Sequence, residues 1–182
     1  MPLLMLKDLP QYECLLKASG EYPSLDPTAC EAFLHLLRTG DEVFEGVNDF
    51  FTRHHVSQGR FTVLMLLNRA CEGAELPATP ASLADQSRVT RATMTGLIDT
   101  LEKDGLVIRE ADENDRRTLH VRLTPQGKAS VEAMLPEYFR CVSAIIQPLD
   151  ESERKQLVSL LQKIQQGLAP AQNPAEQVAV AN

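Results

Sequence analysis

Long apolar helical stripes on both sides of one short charged hairpin predict a mainly α chain with a small β wing. The first stripe runs from residue 26 to residue 56, and a second set begins at Thr124 and continues to Leu168. Between them, residues 57–123 read as three short helices and two strands whose apolar residues alternate. The composition agrees: hydrophobic residues make up 43% of the 182, aromatic residues only 5%, and there is no Trp, which suits helices packed through Leu, Val and Ala.

Residues 1–25 form an extension that opens with Met1-Pro2-Leu3-Leu4-Met5-Leu6, with a short helix expected over Leu9 to Ser19. The apolar run is too short and too weakly flanked for a signal peptide. Two readings stand for it, a frayed arm and a helix that packs on a partner subunit.

A long helix is expected from Asp26, a natural N-cap, with Pro27 at the first helical position, to about His54 and His55. Ala29, Phe33, Leu36, Val43, Phe44, Val47, Phe50 and Phe51 repeat at three and four residues and form one stripe. Gly40 either admits a close neighbour or weakens a turn. Ser57 caps the next helix, where Phe61 to Leu67 is apolar nearly all round and so reads as the buried support of the fold, closed by Glu72-Gly73.

Thr79 and Pro80 open a brief helix that carries Leu83 and Ala84 inward. After the turn at Ser87 to Val89, Thr90 caps a second helix whose buried face is Met94, Leu97, Ile98 and Leu101. Gly105 ends it, and strands follow over Leu106 to Glu110 and Thr118 to Leu123. Helix, turn, helix and hairpin together make a winged helix-turn-helix. Thr124-Pro125-Gln126-Gly127 starts another helix, in which Pro136 predicts a kink. Pro148 stops that helix, Asp150 and Glu153 make a capping box for the last one, and residues 169–182 read as a disordered tail.

The terminal stripes exceed what a small wing covers, so residues 26–56 and 124–168 are expected to dimerise. A formal net charge of -7 argues against nonspecific coating of nucleic acid. It allows a site-selective reader, because Arg88, Arg91, Arg109, Arg116, Arg117 and Arg122 are concentrated in one module. Cys14, Cys30, Cys71 and Cys141 are scattered, which predicts reduced thiols in the cytoplasm and no metal site. His54-His55 points in two directions from a helix, and there is no nucleophile motif or glycine-rich phosphate loop, so neither an enzyme nor a cofactor is expected.

The exposed face of the second module helix carries Ala92, Thr95, Gly96 and Asp99. Small residues let a helix axis approach base edges, and Ala and the Thr methyl suit thymine methyl groups. Asp99 and Asp104 repel phosphate, so the N-terminal half is the half expected in the major groove. Thr90, Arg91 and Thr93 lie there, with Arg88 at the entrance.

The run Leu101-Glu102-Lys103-Asp104-Gly105-Leu106-Val107, the wing pattern Asp115-x-Arg117 and the following Leu123-Thr124-x-x-Gly127 resemble the MarR family of bacterial transcription regulators. The resemblance covers roughly residues 26 to 168. It implies a homodimer made by interleaved terminal helices, binding to double-stranded DNA at a pseudo-palindromic operator, and a minor-groove contact by the arginine at position 117, with Arg116 beside it. Many family members carry a longer polar or basic side chain where Gly96 stands.

The resemblance further implies a repressor released by a small aromatic acid bound between the dimerisation helices and the reading module. His35, Arg38, Arg60 and Phe61 are the polar and aromatic residues expected near that junction. One branch of the family instead senses peroxide through a cysteine near the start of the long helix. Cys30 lies in that neighbourhood, although counting back from Ser57 places Phe33 at the matching position.

Overall fold

The computed structural model describes residues 2–68, 78–112 and 117–171. Its elements are α1 (Tyr12–Glu21), α2 (Pro27–Arg53), α3 (Gln58–Leu67), α4 (Pro80–Ser87), α5 (Arg91–Lys103), β1 (Val107–Ala111), β2 (Leu119–Leu123), α6 (Pro125–Ile146) and α7 (Glu151–Ala171). The chain divides into two compact units, residues 1–141 and residues 142–182.

Helix starts in the first unit follow from local chemistry. The Asp26 carboxylate accepts from the Thr28 and Ala29 amides, Ser57 Oγ from Arg60, Thr79 Oγ1 from Ser82 and Thr90 Oγ1 from Thr93. Each bond satisfies a donor that a helix N-terminus leaves open. α1 begins at Tyr12 rather than Leu9, because Pro10 disfavours the helical region at Leu9 before it and Gln11, with an extended backbone, takes the cap position. α3 stops at Leu67 with Asn68 as its C-cap, short of the expected Glu72-Gly73, which lies outside the described residues. α6 is helical on both sides of Pro136.

The core joins α2 to the module. Phe50, Phe61 and Tyr138 meet ring to ring at 4.8 to 5.6 Å, and Phe51 joins Phe50 and Phe61 at 5.4 and 5.5 Å. Val63 and Leu64 of α3 are fully buried beside Leu83, Met94, Ile98, Leu101, Val107 and Val121. Burying a side chain of this kind stabilises by about 1.5 to 3 kcal/mol, so α3 is the support its sequence predicts. β1 and β2 pair antiparallel, with Val107 opposite Leu123 and Arg109 opposite Val121.

Two glycines lock the wing to the helices on either side. Gly105 takes φ +71°, the left-handed turn that ends α5 and suits glycine. Thr124 then ties the strand end back, its amide donating to the Leu106 carbonyl at 3.0 Å and its hydroxyl to the Gly105 carbonyl at 2.7 Å. The same hydroxyl caps α6 by accepting from the Gly127 amide at 2.9 Å.

The N-terminal extension lies on α2. Leu3 and Leu4 amides donate to the Asp41 carboxylate at 2.7 and 2.9 Å, and Arg38 donates to the carbonyls of Leu6 and Lys7. Of the two readings of Gly40, close approach is the observed one: a β-carbon there would meet the Leu3 side chain at 3.3 Å. In the second unit, the α7 start forms the expected capping box, with Asp150 and Glu153 each bonding the other's amide at 2.8 and 2.9 Å. Leu157, Leu160, Ile164 and Leu168 form an exposed stripe along α7. Among the described residues no helix is long and apolar enough to cross a membrane.

Candidate nucleic-acid interface

The reading pair is α4 and α5, joined by a turn in which Arg88 adopts a left-handed backbone at φ 52°. The Arg88 and Val89 amides close α4 on the carbonyls of Asp85 and Ala84 at 3.3 and 3.2 Å. Met94, Ile98 and Leu101 anchor α5 with no exposure at all. That leaves Arg91, Ala92, Thr93, Thr95 and Gly96 outward, every one of them exposed. Thr95 returns its hydroxyl proton to the Arg91 carbonyl at 2.9 Å, and Thr90 and Thr93 hydroxyls bond each other at 2.8 Å. Back-bonding of this kind fixes the rotamer and occupies the proton, so Thr95 offers its methyl and an acceptor outward.

Arginines of the module divide into two groups. Arg109 bridges Asp99 and Glu102 of α5, both at 2.5 Å; Arg122 pairs with Glu110 across the hairpin at 3.1 Å; Arg60 of α3 pairs with Asp104 at the end of α5. Arg88 and Arg91 are exposed and enter no ion pair among the described residues. Arg117 is exposed on the wing, while Asp115 and Arg116 lie outside the described residues. On β2, His120 Nε2 meets Asp112 Oδ2 at 2.8 Å, closing the hairpin near its tip.

The residues expected to meet a small ligand do not converge within one protomer. His35 is exposed on α2, Arg38 holds the N-terminal arm, and at 1.5 Å rise per residue they stand about 27 and about 23 Å before the α2 end, whereas Arg60 lies beyond that end in the first turn of α3. Phe61, expected as a ligand contact, is 4% exposed and packs in the aromatic core. A groove of about 500 Å³ instead opens between the last turns of α2 and the first turn of α3. Phe44, Asn48, Phe51, Thr52, His55 and Gln58 line it. Gly59, also on its wall, faces α5, where a β-carbon would meet Leu97 methyls at 3.2 Å.

Beside it, Glu137 of α6 accepts from Arg53 at 2.7 Å and meets His54 Nε2 at 2.9 Å. The bond from Arg53, then that from His54, holds the Glu137 carboxyl below its ordinary value of 4.5. Cys30 is half-buried on α2, Cys141 points its thiol at the Gly46 carbonyl at 3.7 Å, and Cys14 is exposed; Cys71 lies outside the described residues.

Residues 56–119 match the family model "MarR family". Over 156 residues the chain is 33% identical to the HTH-type transcriptional repressor YetL of Bacillus subtilis (strain 168), spanning 86% of this chain and 92% of that one. The chain belongs to the MarR family.

Its fold is that of solved MarR-type regulators. Bordetella bronchiseptica BpsR, whose DNA binding is regulated by 6-hydroxynicotinic acid, matches with a TM-score of 0.62 and 26% identity, covering 72% of this chain and 91% of that one. Staphylococcus aureus MepR, solved as a DNA complex, matches with a TM-score of 0.64 and 20% identity, covering 75% and 96%. This MarR-family protein is therefore a DNA-binding transcription regulator with a winged helix-turn-helix.

The groove of this MarR-family chain is only faintly marked in its sequence. Phe44 and Phe51 read as part of the α2 stripe, and Asn48, Thr52 and His55 follow Phe44 on the same side at spacings of four, four and three residues. Polar residues interleaved with aromatics at helical spacing are the signal that marks such a wall.

Proposed function

We propose that the protein is a homodimeric repressor that grips a pseudo-palindromic operator in double-stranded DNA and leaves it when a small aromatic acid binds. Arg88, Thr90, Arg91, Ala92, Thr93, Thr95 and Gly96 form the major-groove contact, and Arg116 and Arg117 the minor-groove contact of the wing. The observation that carries this reading is the division of the arginines: Arg60, Arg109 and Arg122 are paired within the module, whereas Arg88 and Arg91 are exposed beside the small-residue face of α5 and enter no ion pair among the described residues. Charge concentrated there attracts DNA despite a net charge of -7.

Dimerisation is supported by apolar side chains open to solvent in the single chain, among them Phe33 at 57%, Phe44 at 52% and Phe139 at 55% exposure. Residues 26–56 and 124–168 supply that face, and residues 57–123 read DNA. For the effector, the groove has the size of a small-ligand site and the mixed aromatic and polar lining such a site needs. The regulation of BpsR by 6-hydroxynicotinic acid supports the same chemical class. Gly59 on the groove wall faces Leu97 of α5 with no room for a side chain between them, which gives a bound ligand a short route to the reading helix.

The deciding experiment is a gel shift on the DNA upstream of the protein's own gene, repeated with a panel of hydroxylated aromatic acids and with peroxide. Release by an aromatic acid that is lost in Asn48→Ala, with DNA binding retained, is the expected result. Release by peroxide that is lost in Cys30→Ser would replace this reading with the redox one.

A further inference from the structure

We propose that Arg109 is a positioning residue for DNA recognition: it cancels the charge of Asp99 on the reading face of α5 and fixes that helix to β1. The inference rests on the reading that the α5 face carrying Ala92, Thr95 and Gly96 meets DNA.

Asp99 belongs to that face by helical spacing, three residues past Gly96 and four past Thr95, and its side chain is 58% exposed. A bare carboxylate one turn from the bases would oppose the phosphates that flank the groove. Screening does not remove the conflict, since the Debye length at physiological salt is about 8 Å. Arg109 removes it from the other side. Its guanidinium comes over from β1, donates through Nη2 to Asp99 Oδ1 and through Nη1 to Glu102 Oε2, each at 2.5 Å, and is itself only 20% exposed.

Three features make this a fixed device rather than a chance surface pair. Glu102 also accepts from the Arg109 backbone amide at 3.2 Å, so helix and strand are joined through main chain as well as side chain. Arg109 stands opposite Val121, which is 1% exposed, so the strand carrying the guanidinium is anchored in the core. Burial opposes the charge on Arg109, but the bond to Asp99 and the field of Glu102 outweigh it and raise its pKa above the ordinary guanidinium value. A planar, pre-organised fork suits two separate carboxylates better than the point charge of a lysine ammonium does.

The test uses the full chain and a duplex selected from a random pool by the wild-type protein. Arg109→Gln is expected to weaken binding about tenfold or more by exposing like charge to the phosphates. Asp99→Asn alone is expected to bind as tightly as wild type or tighter, and Asp99→Asn with Arg109→Gln to recover most of the loss. A residue with a merely architectural role would show no such rescue. Wild-type affinity in Arg109→Gln, or a double variant as weak as Arg109→Gln, overturns the proposal. If circular dichroism shows Arg109→Gln unfolded, Asp99→Asn decides: affinity kept supports charge cancellation, and a tenfold loss overturns it. Arg91→Ala separates the underlying reading from this one: its unchanged binding would remove α5 from the DNA, while its loss beside a wild-type-like Arg109→Gln would remove Arg109 alone.

Discussion

Gly127 and Leu106 are so close that a β-carbon on Gly127 would sit 1.9 Å from the Leu106 carbonyl oxygen. The obstacle is backbone, and that same carbonyl accepts the Thr124 amide at 3.0 Å, so it cannot step aside without losing a bond. Gly127→Ala is expected to destabilise the fold by about 3 kcal/mol, at the upper end of overpacking costs, and to shift the wing relative to α6. Urea unfolding measures the first effect. A midpoint unchanged from wild type would refute the contact.

Gly96 is the opposite case. A β-carbon there meets nothing within 4 Å, so the fold has no use for a glycine in the middle of α5. Gly96→Ala is expected to stabilise the protein by roughly 0.5 to 1 kcal/mol. If the missing side chain exists to let the helix approach base edges, the same variant binds the selected duplex more weakly or prefers a different one. A more stable protein with unaltered sequence preference would leave Gly96 without a role in reading.

Arg88 holds a left-handed backbone that disfavours an L side chain by about 1 to 2 kcal/mol. Arg88→Gly relieves this and is expected to keep or slightly raise thermal stability while lowering DNA affinity and reducing the salt slope by about 1. Arg117→Ala is expected to lower affinity by about 1 to 3 kcal/mol and to flatten the salt dependence likewise. Titrations at several salt concentrations check both, and parallel slopes in wild type and variant would refute a phosphate or groove contact.

Glu137 links the end of α2 to α6. Its carboxyl is held below the ordinary 4.5, first by Arg53 and then by His54. A carboxylate bound more tightly in the folded state than in the unfolded one contributes stability that is present above pH 4.5 and lost as pH falls through the lower, folded value. Acid titration of unfolding is expected to show that loss in wild type and a flatter profile in Glu137→Gln. Identical profiles would remove the cluster from the acid response.

Much of the fold was legible because its signals are local. Asp26-Pro27, Thr79-Pro80 and Asp150 with Glu153 mark helix starts through bonds that span two or three residues, and the structure forms those bonds. The stripe on α5 and the alternation on β2 report burial at a fixed period, so Met94, Ile98 and Val121 are in the core as their spacing requires. The motif Leu123-Thr124-x-x-Gly127 has a local sense too, since Thr124 caps the helix that Gly127 helps to begin.

The candidate site was legible only in part, because its chemistry depends on partners remote in sequence. Nothing near Arg109, Arg60 or Arg53 in the chain says that each is taken by a carboxylate 10, 44 or 84 residues away. By itself the sequence determined where helices begin, which faces are apolar and where the wing stands. Tertiary structure alone decided which arginines pair with carboxylates, that Phe61 is a core ring, and that the end of α2 opens a groove. The physical reason is that propensity and periodicity act over a few residues, whereas charge pairing and enclosure arise only when separate elements meet.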